Sequence, residues 1–163
     1  MFIRKYTELF LYGLLILSLL SYRFLGFPNL SPIILFLPLA FIPSERLGIK
    51  SPWNLSLFSL PFLHYLYPEN FLNLALQALA EETFFRAYLM SRFSLLFTSV
   101  LFTLPHVILY GDLWSVLTFF PSLLFGVVYQ RTGSLVFVSL LHLLSNLLWF
   151  NFLYPLLTSY GAG

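Results

Sequence analysis

The sequence predicts an all-α protein, a polytopic membrane bundle of about seven transmembrane helices, two of them short and proline-containing. Three observations carry this prediction. Of the 163 residues, 60% are hydrophobic and only 9% are charged, whereas a soluble domain carries roughly 25% charged residues to face water. The mean hydropathy is +0.89, and a chain this short has too much surface for its volume to hide so much apolar material in a core. Apolar runs of near-spanning length also recur along the chain, separated by short polar breaks. The bilayer must therefore act as solvent, and the length suits one integral membrane domain over residues 1–163.

The first run, 7–25, follows Arg4 and Lys5 in the manner of a signal peptide. Its apolar stretch 7–20 leads into Ser21-Tyr22-Arg23-Phe24 with no small-residue cleavage site, and so the run reads as a retained helix. The second run, 28–43, holds Pro32 and Pro38, and the third, 55–67, holds Pro61. Both are short, so a tilted, kinked or re-entrant course is open to each. Longer runs follow at 70–90, 93–110, 113–130 and 134–154. The longest polar break, Ser44-Glu45-Arg46-Leu47-Gly48-Ile49-Lys50-Ser51-Pro52, reads as a cytoplasmic connector. There is no internal repeat and no low-complexity stretch.

Charge distribution gives an independent test of this layout. With a cytoplasmic N-terminus, the inner segments hold Arg4, Lys5, Arg46, Lys50, Arg92 and Arg131, and the outer ones hold Arg23, Glu69 and Asp112. Such a Lys/Arg bias sets membrane orientation. The net charge of +2 comes from cations spread singly along the chain, which excludes a nucleic-acid-binding patch. The absence of cysteine excludes disulfides, thiolate nucleophiles and cysteine-ligated metals.

The fourth run contains Glu81, Glu82 and Arg86. An ionisable group facing lipid at mid-bilayer costs about 2.5–3.5 kcal/mol or more, so these three are expected to face a polar cavity inside the bundle. Glu82 and Arg86 stand four apart and share a helix face, where they can pair. Glu81 points about 100° away and has no such cation. Two adjacent acids in different surroundings are one way for a site to obtain a general base. The alternative is a structural ion pair at the interface, with Glu81 snorkelling outward.

Two later runs carry His106, preceded by Phe102, and His142 with Asn146. His142 and Asn146 are i and i+4, so they share a face. A lone membrane histidine is more often a helix–helix hydrogen-bonding residue, and His64, which lacks polar companions, is read as structural. For amide hydrolysis, an activated nucleophile and an oxyanion donor are needed. Asp112 is the only aspartate, H-E-x-x-H and G-x-S-G are absent, and cysteine is missing. What remains is Glu81 with His106 polarising a water, and His142 and Asn146 as donors to the oxyanion.

The ordered set Glu81-Glu82-Thr83-Phe84-Phe85-Arg86, Phe102 to His106, and His142 to Asn146 resembles the CAAX protease and bacteriocin-processing family of intramembrane glutamic proteases, with its abortive-infection-like members. The resemblance implies that Glu81 is the general base and His106 its partner in activating water. It further implies that His142 and Asn146 stabilise the oxyanion, that Glu82 and Arg86 support the first Glu, and that Phe102 forms an apolar wall. It also implies a core within 44–154, a peptide or membrane-protein substrate, a prokaryotic cell membrane, and neither cofactor nor metal dependence. Many prokaryotic members that this chain resembles act on peptides or on C-terminal membrane tails, which is the substrate class the resemblance implies.

Three other readings compete. A non-catalytic scaffold or immunity protein could keep the bundle. Glu81, His106 and His142 could form a catalytic zinc set, and His106 with His142 could ligate a haem.

Overall fold

The computed structural model describes residues 6–66 and 70–160. Arg4, Lys5, Glu69 and the end of the 55–67 run lie outside them. The described residues are helical or irregular and contain no strand, so the chain is an all-α bundle. Three helical stretches are long and apolar enough to cross a membrane by length and composition: Thr7–Leu25, Leu113–Thr132 and Leu135–Leu157. Ser31–Ala40 and Leu95–Tyr110 are shorter apolar helices.

Helix α1, Thr7–Leu25, turns a mixed face to the bundle. Its buried side includes Leu11, Leu15, Leu19 and the two polar groups Glu8 and Tyr12, whereas Phe10, Leu17 and Phe24 are exposed. Hydrocarbon suits that outer face. Inside, the Tyr12 hydroxyl donates to Leu101 O at 2.9 Å, and Glu8 accepts from Arg92 at 3.1 Å. Both contacts dock α1 on later elements.

The proline-containing segments are short, for identifiable reasons. α2, Ser31–Phe36, has Pro32 in its first turn, where no intrahelical N–H is needed. The chain then tightens into a 3₁₀ turn at Leu37–Ala40 around Pro38. α3, Ser44–Leu47, ends at Gly48 with φ +63. A Cβ at Gly48 would collide with the Gly133 carbonyl, so glycine serves both the left-handed conformation and the close approach. A 3₁₀ stretch, Pro52–Ser59, and α4, Leu60–Leu66, follow. Asn54 fastens this region by donating to Gly48 O and Ile49 O at 2.9 Å and accepting from Ser134 at 2.7 Å.

α5, Phe71–Glu82, continues without a break into a π-helical turn, Thr83–Tyr88, and a 3₁₀ turn, Leu89–Ser91. Three ionisable groups, Glu81, Glu82 and Arg86, fall within this run. α6, Leu95–Tyr110, starts on a Ser94 cap that accepts from Phe97 N. α7, Leu113–Leu117, starts on an Asp112 cap and precedes α8, Phe119–Thr132. α9, Leu135–Leu148, starts on a Ser134 cap, passes through a π turn at Trp149–Leu153, and gives way to α10, Tyr154–Tyr160. α5 packs on α9, α6 on α8, and α1 on α2 and α6. Leu74, Ala78, Leu140, Leu143 and Leu147 fill the α5–α9 seam.

Candidate active site

Glu82 stands at the end of α5, where the helix widens from α to π geometry. Such insertions are frequent at functional sites. Thr83, first in the widened turn, returns its hydroxyl to Leu79 O at 2.7 Å. From here two carboxylates diverge.

Glu82 and Arg86 are both 0% exposed and pair at 2.8 Å. Arg86 also donates to the Ser122 hydroxyl at 2.9 Å and lies 5.1 Å from the Phe102 ring centroid. The second Glu82 oxygen meets His142 Nδ1 at 2.9 Å. Each carboxylate oxygen thus faces a cationic or N–H donor, the condition for keeping a charge away from water. The snorkelling alternative fails here, because all three ionisable side chains of this run are buried.

Glu81 is 7% exposed and has a different environment. One oxygen accepts from Gln77 Nε2 at 2.9 Å. The other, Oε2, is buried with no hydrogen-bond partner among the described residues. It lies 3.9 Å from His106 Nε2 and 3.8 Å from His142 Nε2. Both separations exceed a direct hydrogen bond and suit a bridging molecule.

The remaining ring nitrogens assign the tautomers. His106 Nδ1 is 3.0 Å from Phe102 O, a carbonyl that can only accept, so Nδ1–H donates. His142 Nδ1 donates likewise to the Glu82 carboxylate. Each ring thus leaves its Nε2 atom on the side of the unpartnered Glu81 oxygen, 3.9 and 3.8 Å away. Aromatic walls hold the rings. Phe102 stacks on His106 at 4.8 Å and Phe125 on His142 at 4.9 Å.

A cavity of about 460 Å³ bounded by α1, α2, α5 and α6 reaches Glu81 and His106. His142 is not among its lining residues and is 4% exposed. The structure thus gathers Glu81, Glu82, Arg86, Phe102, His106 and His142. Asn146 stands one turn beyond His142, half-buried, and makes no side-chain hydrogen bond among the described residues. His64 meets Phe71 edge-on and takes no part. Among the described residues no three His, Asp or Glu side chains are arranged to hold a metal ion.

Sequence reasoning missed Gln77, Ser122 and Phe125. Gln77 was findable, since it lies one turn before Glu81 on an apolar helix. Ser122 and Phe125 come from α8, which carries no recognisable motif.

Fold and site together define a helical membrane protein with an enclosed acid–imidazole centre. The family described as "Type II CAAX prenyl endopeptidase Rce1-like" matches residues 64–148, about half of the chain and the part that holds every residue of the cluster. The chain belongs to that family, one of CAAX-type intramembrane endopeptidases. No curated protein and no solved structure matches it.

Proposed function

We propose that this chain is an intramembrane glutamic endopeptidase that hydrolyses a peptide bond in a membrane-associated or C-terminal-tail substrate. The observation that carries the reading is the unpartnered Glu81 oxygen, buried and 3.9 and 3.8 Å from two imidazole Nε2 atoms. Two acceptors meet there, Glu81 Oε2 and His106 Nε2, and they call for an O–H donor, since buried polar atoms are rarely left unpaired.

A water held by Glu81 Oε2 and His106 Nε2 gives its proton to the Glu81 carboxylate as its oxygen bonds to the scissile carbonyl carbon. The carbonyl π pair moves onto oxygen as an oxyanion. His142 Nε2–H and the Asn146 amide are its donors. An Nε2–H on His142 requires the doubly protonated ring, and Glu82, 2.9 Å from Nδ1, supplies its counter-charge. Collapse of the tetrahedral species breaks the C–N bond, and Glu81 returns the proton to the leaving nitrogen. Glu82 and Arg86 hold His142 and the helix in place, and Phe102 walls the centre. Neither cofactor nor metal enters the scheme. The whole chain serves as one membrane domain with its working core in 44–154 and a cytoplasmic N-terminus.

Hydrolysis of an internally quenched apolar peptide by the purified chain in detergent tests the reading. Glu81→Ala is expected to abolish it and His106→Ala to lower it sharply, with activity kept in strong chelator. Undiminished cleavage by both variants would remove the glutamate mechanism, and loss in chelator would favour a metal hydrolase.

A further inference from the structure

Between Phe71 and Ala80, α5 is apolar except at Asn73 and Gln77. With Glu81 these residues stand at intervals of four and form one stripe along the helix. All three line the cavity that reaches His106. Asn73 and Gln77 are exposed, unlike the polar groups of the following turn. The Asn73 side chain makes no hydrogen bond among the described residues. Gln77 donates its NH₂ to Glu81, and its carbonyl oxygen has no partner there.

Unpaired amide groups on a membrane helix are unfavourable against hydrocarbon, and the Asn73 amide and the Gln77 carbonyl oxygen, both leading to Glu81, fit a polar occupant. An amide side chain offers both a donor and an acceptor, the complement of a peptide main chain. Eight residues of α-helix separate Asn73 from Glu81, a rise of about 12 Å. An extended peptide covers that distance in roughly three to four residues. The facing walls are mainly apolar, with Leu15 and Leu19 of α1 and Leu35 of α2, and Asn29, Ser31 and Tyr110 add polar groups to them. No Lys or Arg lines the cavity among the described residues, and its one acid is Glu81.

We propose that the Asn73–Gln77 stripe is a main-chain-binding subsite for an uncharged, extended, apolar peptide segment that delivers its scissile bond to Glu81. The proposal rests on the endopeptidase reading and adds the chemistry of what the cavity holds. Asn73 meets a main-chain group three or four residues from the cleaved bond. The apolar walls take the side chains, and a free terminal carboxylate gains nothing there.

The test uses the full chain carrying Glu81→Gln, titrated in detergent with a fluorescent peptide of Ala, Leu and Phe, made as C-terminal amide and as free acid. Adding Asn73→Leu is expected to weaken binding about three- to tenfold, the contribution of one hydrogen bond. Asn73→Gln should keep part of the affinity. N-methylating the peptide bonds one at a time should reveal one position whose loss is seen with Asn73 and vanishes with Asn73→Leu. A merely structural role for Asn73 would not produce that selectivity. The amide should bind at least as tightly as the acid. Equal binding with Asn73 and Asn73→Leu, no position-specific loss, no binding at all, or a clear preference for the acid would overturn the proposal. Binding with the Asn73 signature but no cleavage by the unsubstituted chain would instead overturn the endopeptidase reading and leave the subsite standing.

Discussion

Glu81 and Glu82 are neighbours in sequence and opposites in surroundings. Glu82 is fully enclosed, with Arg86 on one oxygen and His142 on the other. Glu81 has a neutral amide on one oxygen and, among the described residues, no partner on the second, and it faces a cavity. One residue of helix rotation, about 100°, produces this difference. The lesson is that a buried acid with every lone pair matched serves as framework. A buried acid with one oxygen left over, aimed at two imidazoles, is equipped for chemistry.

Substitutions can break this contrast at either pole. The largest effect is expected at the framework pole. Arg86→Met leaves the Glu82 carboxylate buried without its cation, which should destabilise the protein by about 3–5 kcal/mol. Thermal unfolding in detergent would read this directly. Adding Glu82→Gln to Arg86→Met should recover most of the stability, since a buried pair replaced as a whole is often close to neutral. Cleavage should stay low in that double variant, because His142 has lost its counter-charge.

At the chemical pole, His106→Ala should lower kcat by about 10²- to 10⁴-fold, the range for a positioned acid–base group, with the melting temperature little changed. A melting temperature that falls as far as in Arg86→Met would make His106 part of the framework instead. Asn146→Ala should lower kcat by roughly 10²-fold if its amide turns to the oxyanion. No change would remove Asn146 from the scheme and leave His142 as the side-chain donor there. The smallest effect is expected for Gln77→Leu, about tenfold in kcat, as one hydrogen bond orienting Glu81 is lost. Gln77→Glu, which places a second carboxylate beside Glu81, should be worse than Gln77→Leu. The reverse order would mean that Gln77 does not orient Glu81.

Much of this architecture was legible in the sequence, and the reasons differ by region. Hydropathy alone fixes the all-α class, and the prolines at 32, 38 and 61 mark the segments that turn out short or 3₁₀. The Glu82–Arg86 pair follows from helical spacing, and the cost of charge in hydrocarbon places both inside. Other features have no local signal. The π turn at Thr83–Tyr88 interrupts a run that reads as one regular helix, with no Gly or Pro in it to mark the widening. His142 and Asn146 read as partners from their i,i+4 spacing, yet His142 bonds Glu82 sixty positions earlier. Ser122 and Phe125 enter the centre only because α8 packs beside α6 and α9.

The decisive measurement compares the unsubstituted chain with Glu81→Gln, a change of one oxygen to nitrogen that keeps shape and packing but cannot accept the water's proton. Peptide binding should persist with cleavage reduced to background. A Glu81→Gln chain that still hydrolyses the quenched peptide at the parent rate would contradict the assignment of the base.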